Sequence, residues 1–221
     1  MGSSENFDMR EKAKMNAKQK WDRTARFYDV WSAPMEMMGA KKWRALLFSG
    51  LPEGNILEIG VGTGINTEYY PNENREYTAI DISPKMLEKA KARAEKNDKT
   101  VDLIEMNAES MQFPSKSFNA VVATCVFCSV PDPVQGLREA RRVLKKDGMA
   151  LFIEHMRPGG RVLGKIFDIM NHATSRLIGF NINRRTAENI KKAGFEIIEE
   201  RYLFRDIFRL IRARPYRVKD S

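Results

Sequence analysis

The sequence predicts an α/β protein: a doubly wound sheet of seven strands, mostly parallel with an antiparallel last pair, and helices on both faces. Three observations carry this. From residue 55 onward, short apolar and β-branched runs alternate with helical segments, the pattern of strand–helix–strand units. Right-handed crossovers between parallel strands then place helices on both sides. The last two runs, 195–204 and 207–213, are joined so tightly that they pair antiparallel.

Taken in order, residues 8–29 read as a basic helix. Ala13, Ala17, Trp21, Ala25 and Tyr28 share one face, and Arg10, Lys12, Lys14, Lys18, Lys20, Arg23 and Arg26 crowd the rest. A second helix is expected over 34–48, ended by Gly50. Residues 55–59 form a strand that enters a glycine loop, and 64–70 suit a short helix. Residues 77–80 are a strand ending at Asp81. Ser83 caps a helix that Pro84 opens and that runs to about Glu95. Strands follow at 101–105 and 120–124. An amphipathic helix over 133–146 stops before Asp147-Gly148, and 149–154 is the next strand. Residues 160–179 look helical, and Thr186 caps a short helix to Ala193. Residues 1–50 are expected to form a cap, and 51–221 the sheet domain with a lid insertion at about 158–185.

The chain of 221 residues is long enough to bury a full core without a metal or disulfide staple. Its two cysteines, Cys125 and Cys128, make no disulfide framework, so a reducing, cytoplasmic setting is expected. The N-terminus carries no apolar signal core, and no run of 18 apolar residues exists. The net charge of +9 calls for an anionic partner: a membrane surface, nucleic acid or an acidic substrate.

The chemistry concentrates after the first strand. Gly60, Gly62 and Gly64 allow a sharp turn and let a ligand approach the backbone. A dinucleotide fingerprint needs glycine at 65, where Ile65 stands. Asp81, at the end of the next strand, is placed to accept two hydrogen bonds from a ribose diol. The strand ends also carry Asn107, Thr124 and His155, and ligands of such sheets sit at the carboxyl ends of strands.

Together, Glu58-Ile-Gly-Val-Gly-Thr-Gly64, Ala79-Ile-Asp-Ile-Ser83, Asn107-Ala-Glu109 and Glu139-Ala-Arg-Arg-Val-Leu-Lys-Lys-Asp-Gly148 resemble the class I methyltransferases, which have a Rossmann-like fold. The resemblance implies S-adenosyl-L-methionine as cofactor. It places the glycine loop of Gly60, Gly62 and Gly64 under the methionyl part and Asp81 on the ribose. It sets Ile82 and Met86 beside the adenine and Ala108 and Glu109 at its edge; Glu58, Asn107, Thr124 and Cys125 are further cofactor-binding candidates. Ile82 and Met86 equally suit plain core. Arg26-Phe-Tyr-Asp29, Tyr69-Tyr-Pro71, Val130-Pro-Asp-Pro133 and Glu154-His-Met-Arg157 resemble bacterial phosphatidylethanolamine N-methyltransferases. Thiol S-methyltransferases share a step like Cys128-Ser129-Val130, and quinone-ring methyltransferases are more distant. The acceptor this implies is a membrane phospholipid amine, with a thiol or quinone as alternative.

Methyl transfer needs alignment and exclusion of water more than a covalent nucleophile. His155 is a candidate base for an amine, against the alternative of a structural histidine. Tyr28 is a candidate for closing the site or orienting the amine, against simple packing. His172, on the lid helix, has no supporting motif. Arg157, Arg161, Lys165 and Arg185 are candidates for a lipid phosphate, against a solvated basic face. The basic first helix suits an anionic membrane surface or an ordinary lid. Peripheral membrane association of a monomer is expected, with a lipid or other hydrophobic substrate and no specific nucleic acid. Cys125 and Cys128 read as lining the site rather than as a metal or redox pair. The rivals are a nicotinamide oxidoreductase, a nucleic-acid methyltransferase lacking its usual Asp-Pro-Pro-Tyr-like step, and a non-catalytic scaffold.

Overall fold

The computed structural model describes residue 12, residues 15–177 and residues 181–216. Seven strands form one sheet: β1 (Gly54–Ile59), β2 (Arg75–Asp81), β3 (Asp102–Glu105), β4 (Phe118–Thr124), β5 (Leu144–His155), β6 (Phe195–Phe204) and β7 (Phe208–Pro215). Their order is β3-β2-β1-β4-β5-β7-β6. The first five are parallel, and β7 runs antiparallel to both β5 and β6. Strand order reverses between β1 and β4, so the crevice beyond their carboxyl ends is the natural ligand site.

β1 and β4 read as continuous apolar runs because both their faces are covered. Leu57, Ile59, Val121 and Ala123 point into one core, and Ile56, Ala120 and Val122 into the other, as the two-residue strand period requires. The helices α5 (Pro133–Val143) and α7 (Thr186–Lys192) close the first core with Leu137, Val143 and Ile190. On the other face lies α3 (Ala40–Ser49), which inserts Trp43, Leu47 and Phe48. There too α4 (Pro84–Lys96) packs Ala90 on Ala79 of β2. Ser83 caps α4 by accepting from Met86 N–H, with Pro84 opening the helix, as expected.

The helices before the sheet differ from expectation. The basic helix α1 covers residues 15–24 and ends in a turn at 25–27. Tyr28 therefore opens a separate helix, α2 (Tyr28–Met37). Gly39, at φ 107°, separates α2 from α3, so no single helix spans 34–48. Ala13 of the expected stripe falls outside the described residues.

Two further boundaries shift. α5 stops at Val143, because Leu144 is extended and pairs with Phe118 of β4. The Asp147-Gly148 stop signal lies instead in a bulge, where the register jumps between Phe118 and Ala120. Thr186 is the first residue inside α7 rather than its cap; Arg185 precedes it without a side-chain capping bond. α6 (Arg161–Leu177) fills the insertion between β5 and β6. No helix among the described residues is long and apolar enough to cross a membrane.

Candidate active site

β1 leads into a loop where Gly60, Gly62 and Gly64 all have positive φ, at 68°, 56° and 77°. The three glycines serve two purposes. A Cβ on Gly60 would lie 2.6 Å from Val126, and one on Gly64 would lie 2.8 Å from the Ala90 backbone. These two permit close packing. A Cβ on Gly62 would meet nothing nearer than the Tyr28 ring at 3.9 Å. That glycine borders open space.

The space is a cleft at the carboxyl ends of β1, β2 and β4, partly open to solvent. Gly60, Gly62, Asp81, Ile82, Met86, Asn107, Ala108, Thr124, Cys125 and Tyr28 all line it. Trp21, Met106, Val126, Val130 and Pro131 complete an apolar wall. Glu58, Gly64, Glu109 and His155 do not border it.

Asp81 is the charged anchor of the cleft. Its two carboxylate oxygens accept from Gly62 N–H and Ser83 N–H, both at 2.9 Å. An ionised carboxylate accepts about four hydrogen bonds, so it retains capacity for a ligand's hydroxyls. Burial pushes its pKa up to about 6, and the N–H bonds oppose that shift. With Gly62 giving open backbone beside Asp81, and Ile82, Met86, Met106 and Ala108 forming an apolar slot, the cleft fits an adenosyl group. Adenosylmethionine would be held by those residues.

Beneath the loop, Glu58 is almost fully buried and accepts from Asn66 Nδ2 at 2.6 Å and from the Tyr70 hydroxyl. Asn66 Nδ2 also donates to Thr124 Oγ1 at 3.1 Å. Glu58 therefore ties the glycine loop to the end of β4 and positions the site from below. Burial raises its pKa to about 7 despite those bonds. Glu109 accepts from Asp132 N–H at 2.6 Å, fixing the start of α5. No sequence signal marks Asn66, a residue of the short 3₁₀ turn Ile65–Tyr69.

A second buried acid holds the loop after β4. Glu154 Oε1 accepts from Val126 N–H at 2.9 Å and Phe127 N–H at 3.0 Å, while Oε2 has no partner among the described residues. Burial raises its pKa to about 7. Its position in a resembling motif marked it, but not its role. Cys125 turns this loop with a positive φ of 55°, rare for a non-glycine residue. Burial pushes its thiol to about 12, so it is protonated and inert as a nucleophile. Cys128 donates to Cys125 C=O at 3.3 Å. Among the described residues no cluster suits a metal ion.

The cap is latched to the cleft by polar contacts. α1 turns Ala17 and Trp21 into the cleft. Lys18 pairs with Glu105 at the end of β3, and Ser83 Oγ donates to Asp22 at 2.5 Å. Asp29 accepts from Thr63 of the glycine loop at 2.7 Å and from Arg93 of α4 at 2.8 Å. Tyr28 follows from this clamp. Its ring lies over Gly62 and edge-on to Trp21, at 6.2 Å between centroids. Burial, and then the neighbouring cysteines, raises its pKa well above the ordinary value, so the phenol keeps its proton.

His155 lies outside the cleft. It stacks on Phe167 of α6 at 5.7 Å and meets Phe208 edge-on at 5.1 Å. Its Nδ1 is buried without a partner among the described residues, and burial lowers its pKa to about 4. A neutral, walled-in imidazole of that kind is a packing group. The phosphate candidates also disperse. Arg157 is held by Asp168 at 2.8 Å, and Arg185 pairs with Glu188 at 3.3 Å. Lys165 is exposed on α6. The side chains of Arg161 and His172 lie outside the described residues.

Residues 57–152 match a family model described as a methyltransferase domain. Phosphatidylethanolamine N-methyltransferase of Cereibacter sphaeroides is 34% identical over 104 residues, 46% of this chain and 51% of that one. Demethylmenaquinone methyltransferase of Thermotoga maritima is 28% identical over 87% of this chain and 93% of its own length. Rat thiol S-methyltransferase TMT1B is 30% identical over 66% of this chain and 62% of its own. The chain thus spans about half of the first relative and nearly all of the second. A solved S-adenosylmethionine-dependent methyltransferase from Thermotoga maritima superposes with a TM-score of 0.67 at 21% identity, over 89% of this chain and 98% of that one. The cyclase SpnF shares the fold as well, with a TM-score of 0.64 at 19% identity over 81% and 80%. The matched domain, the shared fold and the cleft at the strand-order reversal together mark residues 57–152 as an S-adenosylmethionine-dependent methyltransferase domain of the class I type.

Proposed function

We propose that the protein transfers a methyl group to the amine of a membrane phospholipid of the phosphatidylethanolamine type. The observation that carries this reading is the cleft wall. Apart from Asp81 at the cofactor end, its polar side chains are uncharged, and Trp21, Met106, Val126, Val130 and Pro131 make the rest apolar. Burial disfavours the charged form of an amine, so such a wall favours the neutral amine that can attack. A separate histidine base is then unnecessary, in keeping with His155 lying behind Phe167.

When bound, adenosylmethionine supplies a methyl group on a sulfonium, open to in-line displacement. The chain's own part is alignment and dryness. Asp81 and the glycine loop fix one end of the cleft. Trp21 and Tyr28, clamped through Asp22 and Asp29, exclude water from above. The Tyr28 phenol, held in its protonated form, offers its oxygen to an amine N–H and so orients the nitrogen.

Quinone-ring methylation is the second reading, favoured by the demethylmenaquinone relative matched over most of both chains. Labelled adenosylmethionine offered to phosphatidylethanolamine vesicles, a demethylated quinol and a small thiol separates these. Label in the lipid amine is expected; label in the quinol or thiol alone overturns the proposal.

A further inference from the structure

We infer that the outward face of α6, together with the exposed residues around α2, docks on an anionic lipid bilayer. This rests on a membrane-borne acceptor and names the surface that meets the membrane.

α6 is amphipathic the wrong way round for a solvated helix. Its inner side seats Gly164, Leu163 and Phe167 against Arg157 and His155. Its outer side presents Val162, Ile166, Ile169 and Met170, between 44% and 75% exposed. The spacing of four, three and one places them on one face. Contiguous apolar surface of this kind marks an interaction site. Among the described residues, the other large exposed apolar side chains include Phe27, Val30, Met37 and Met38, in or beside α2; the rest are Met15, Ile198, Tyr202 and Tyr216.

Both helices lie at the carboxyl edge of the sheet, the edge that holds the cleft. Met35 of α2 reaches to 3.9 Å from the Cys125 sulfur, and Phe167 of α6 stacks on His155 at the end of β5. α3 leads down to β1, so its first turn, with Lys41 and Lys42, stands at the same edge.

The charge around this surface selects an anionic occupant. Every described acid on α2, α3 and α6 is neutralised internally: Asp29 by Arg93, Glu36 by Arg44 and Asp168 by Arg157. Lys41, Lys42 and Lys165 have no acidic partner among the described residues. An apolar stripe rimmed by unpaired lysines lies in the headgroup plane of anionic lipid. No described helix is suited to crossing, so α6 lies on the bilayer. The face expected from the sequence to do this, the apolar stripe of α1, is instead turned into the cleft through Ala17 and Trp21.

The test uses the full chain and mixed phosphatidylcholine–phosphatidylglycerol vesicles, which carry no primary amine, so binding is read without turnover. The double variant Ile166→Asp, Ile169→Asp is expected to lower the sedimented fraction at least ~10-fold. Its adenosylmethionine affinity and melting temperature should stay unchanged. In a second variant, Ile169→Trp, the new indole is expected to shift to the blue on vesicles and to be quenched by brominated lipid. Wild-type-like sedimentation of the double variant, or an unquenched indole, overturns the inference. So does a dimer in vesicle-free solution that Ile166→Asp splits, because the occupant is then a second copy. Vesicle binding without methylation of phosphatidylethanolamine sinks the acceptor reading alone. Methylation of detergent-dispersed lipid without vesicle binding sinks the docking alone.

Discussion

At the scale of single residues, Asp81 and the two buried glutamates make the sharpest claims. Asp81→Ala removes the acceptor of Gly62 N–H and Ser83 N–H as well as the ligand's partner. Calorimetric titration should show adenosylmethionine affinity falling by about two orders of magnitude, a loss of ~3 kcal/mol in keeping with charged hydrogen bonds. In the wild type, affinity should also weaken as pH falls through about 6, where Asp81 takes up its proton. Glu154 gives a stability test. Its folded value near 7 lies above its ordinary value, so the folded state holds the proton more tightly than the unfolded one. The stability this contributes is present at low pH and is lost as pH rises from about 4.5 to 7. His155 works in the opposite sense, gaining stability as pH rises from about 4 to 6.5. Melting curves of Glu154→Gln against wild type isolate the first effect, and the variant should gain on the wild type with rising pH. Asp81 and Gly62 were legible because their roles follow from backbone geometry and strand position. His155 stays open in the sequence between a base and a structural histidine, because a histidine at a strand end looks alike from either side of a wall, and only Phe167 and Phe208 decide which side it faces.

At the scale of elements, the glycine loop and the cap behave as separable parts. Gly62→Ala places its methyl in open space, and its cost is that of a positive φ, about 1 kcal/mol. Gly64→Ala adds a clash with the Ala90 backbone, and should lower stability by a further ~1–3 kcal/mol. Urea unfolding of the pair distinguishes these, with Gly62→Ala losing mainly cofactor affinity. The cap depends on Asp29, which reaches both Thr63 and Arg93. Asp29→Ala should loosen Tyr28 and Trp21 and raise hydrogen exchange in residues 15–37 more than in β1 or β4. Strands and capped helices were readable from period and end signals, as with Ser83-Pro84. The cap helices were not, because one apolar stripe runs through residues 17–28 while the backbone breaks at 25–27. Likewise the Asp147-Gly148 turn signal was real, but it serves a bulge inside β5 rather than a helix stop.

For the molecule as a whole, the seven strands, their parallel core and the antiparallel last pair follow from the sequence pattern, while the placing of β7 between β5 and β6 does not. The acceptor is less legible. The same fold carries a cyclase as well as methyltransferases, so chemistry resides in the cleft wall and the surfaces beside it. The net charge of +9 belongs to this scale. Binding to anionic vesicles should weaken as salt rises from about 0.05 to 0.5 M, while the part due to α6 persists, because screening acts on exposed charge and not on apolar insertion.

The place of β7 has a kinetic consequence. This strand, late in the sequence, lies between β5 and β6 and pairs with both, as in Ala150 with Ala213 and Glu196 with Arg214. Until it arrives, β5 presents a bare edge over residues 150–155, where Ala150, Leu151, Phe152 and Ile153 are apolar, and β6 has nothing to join. Synthesis proceeds from the other end, so a ribosome-bound chain must keep that edge waiting through α6 and α7. Refolding should therefore show a slow phase in which β5, β6 and β7 gain amide protection together, after β1 and β4 are already shielded.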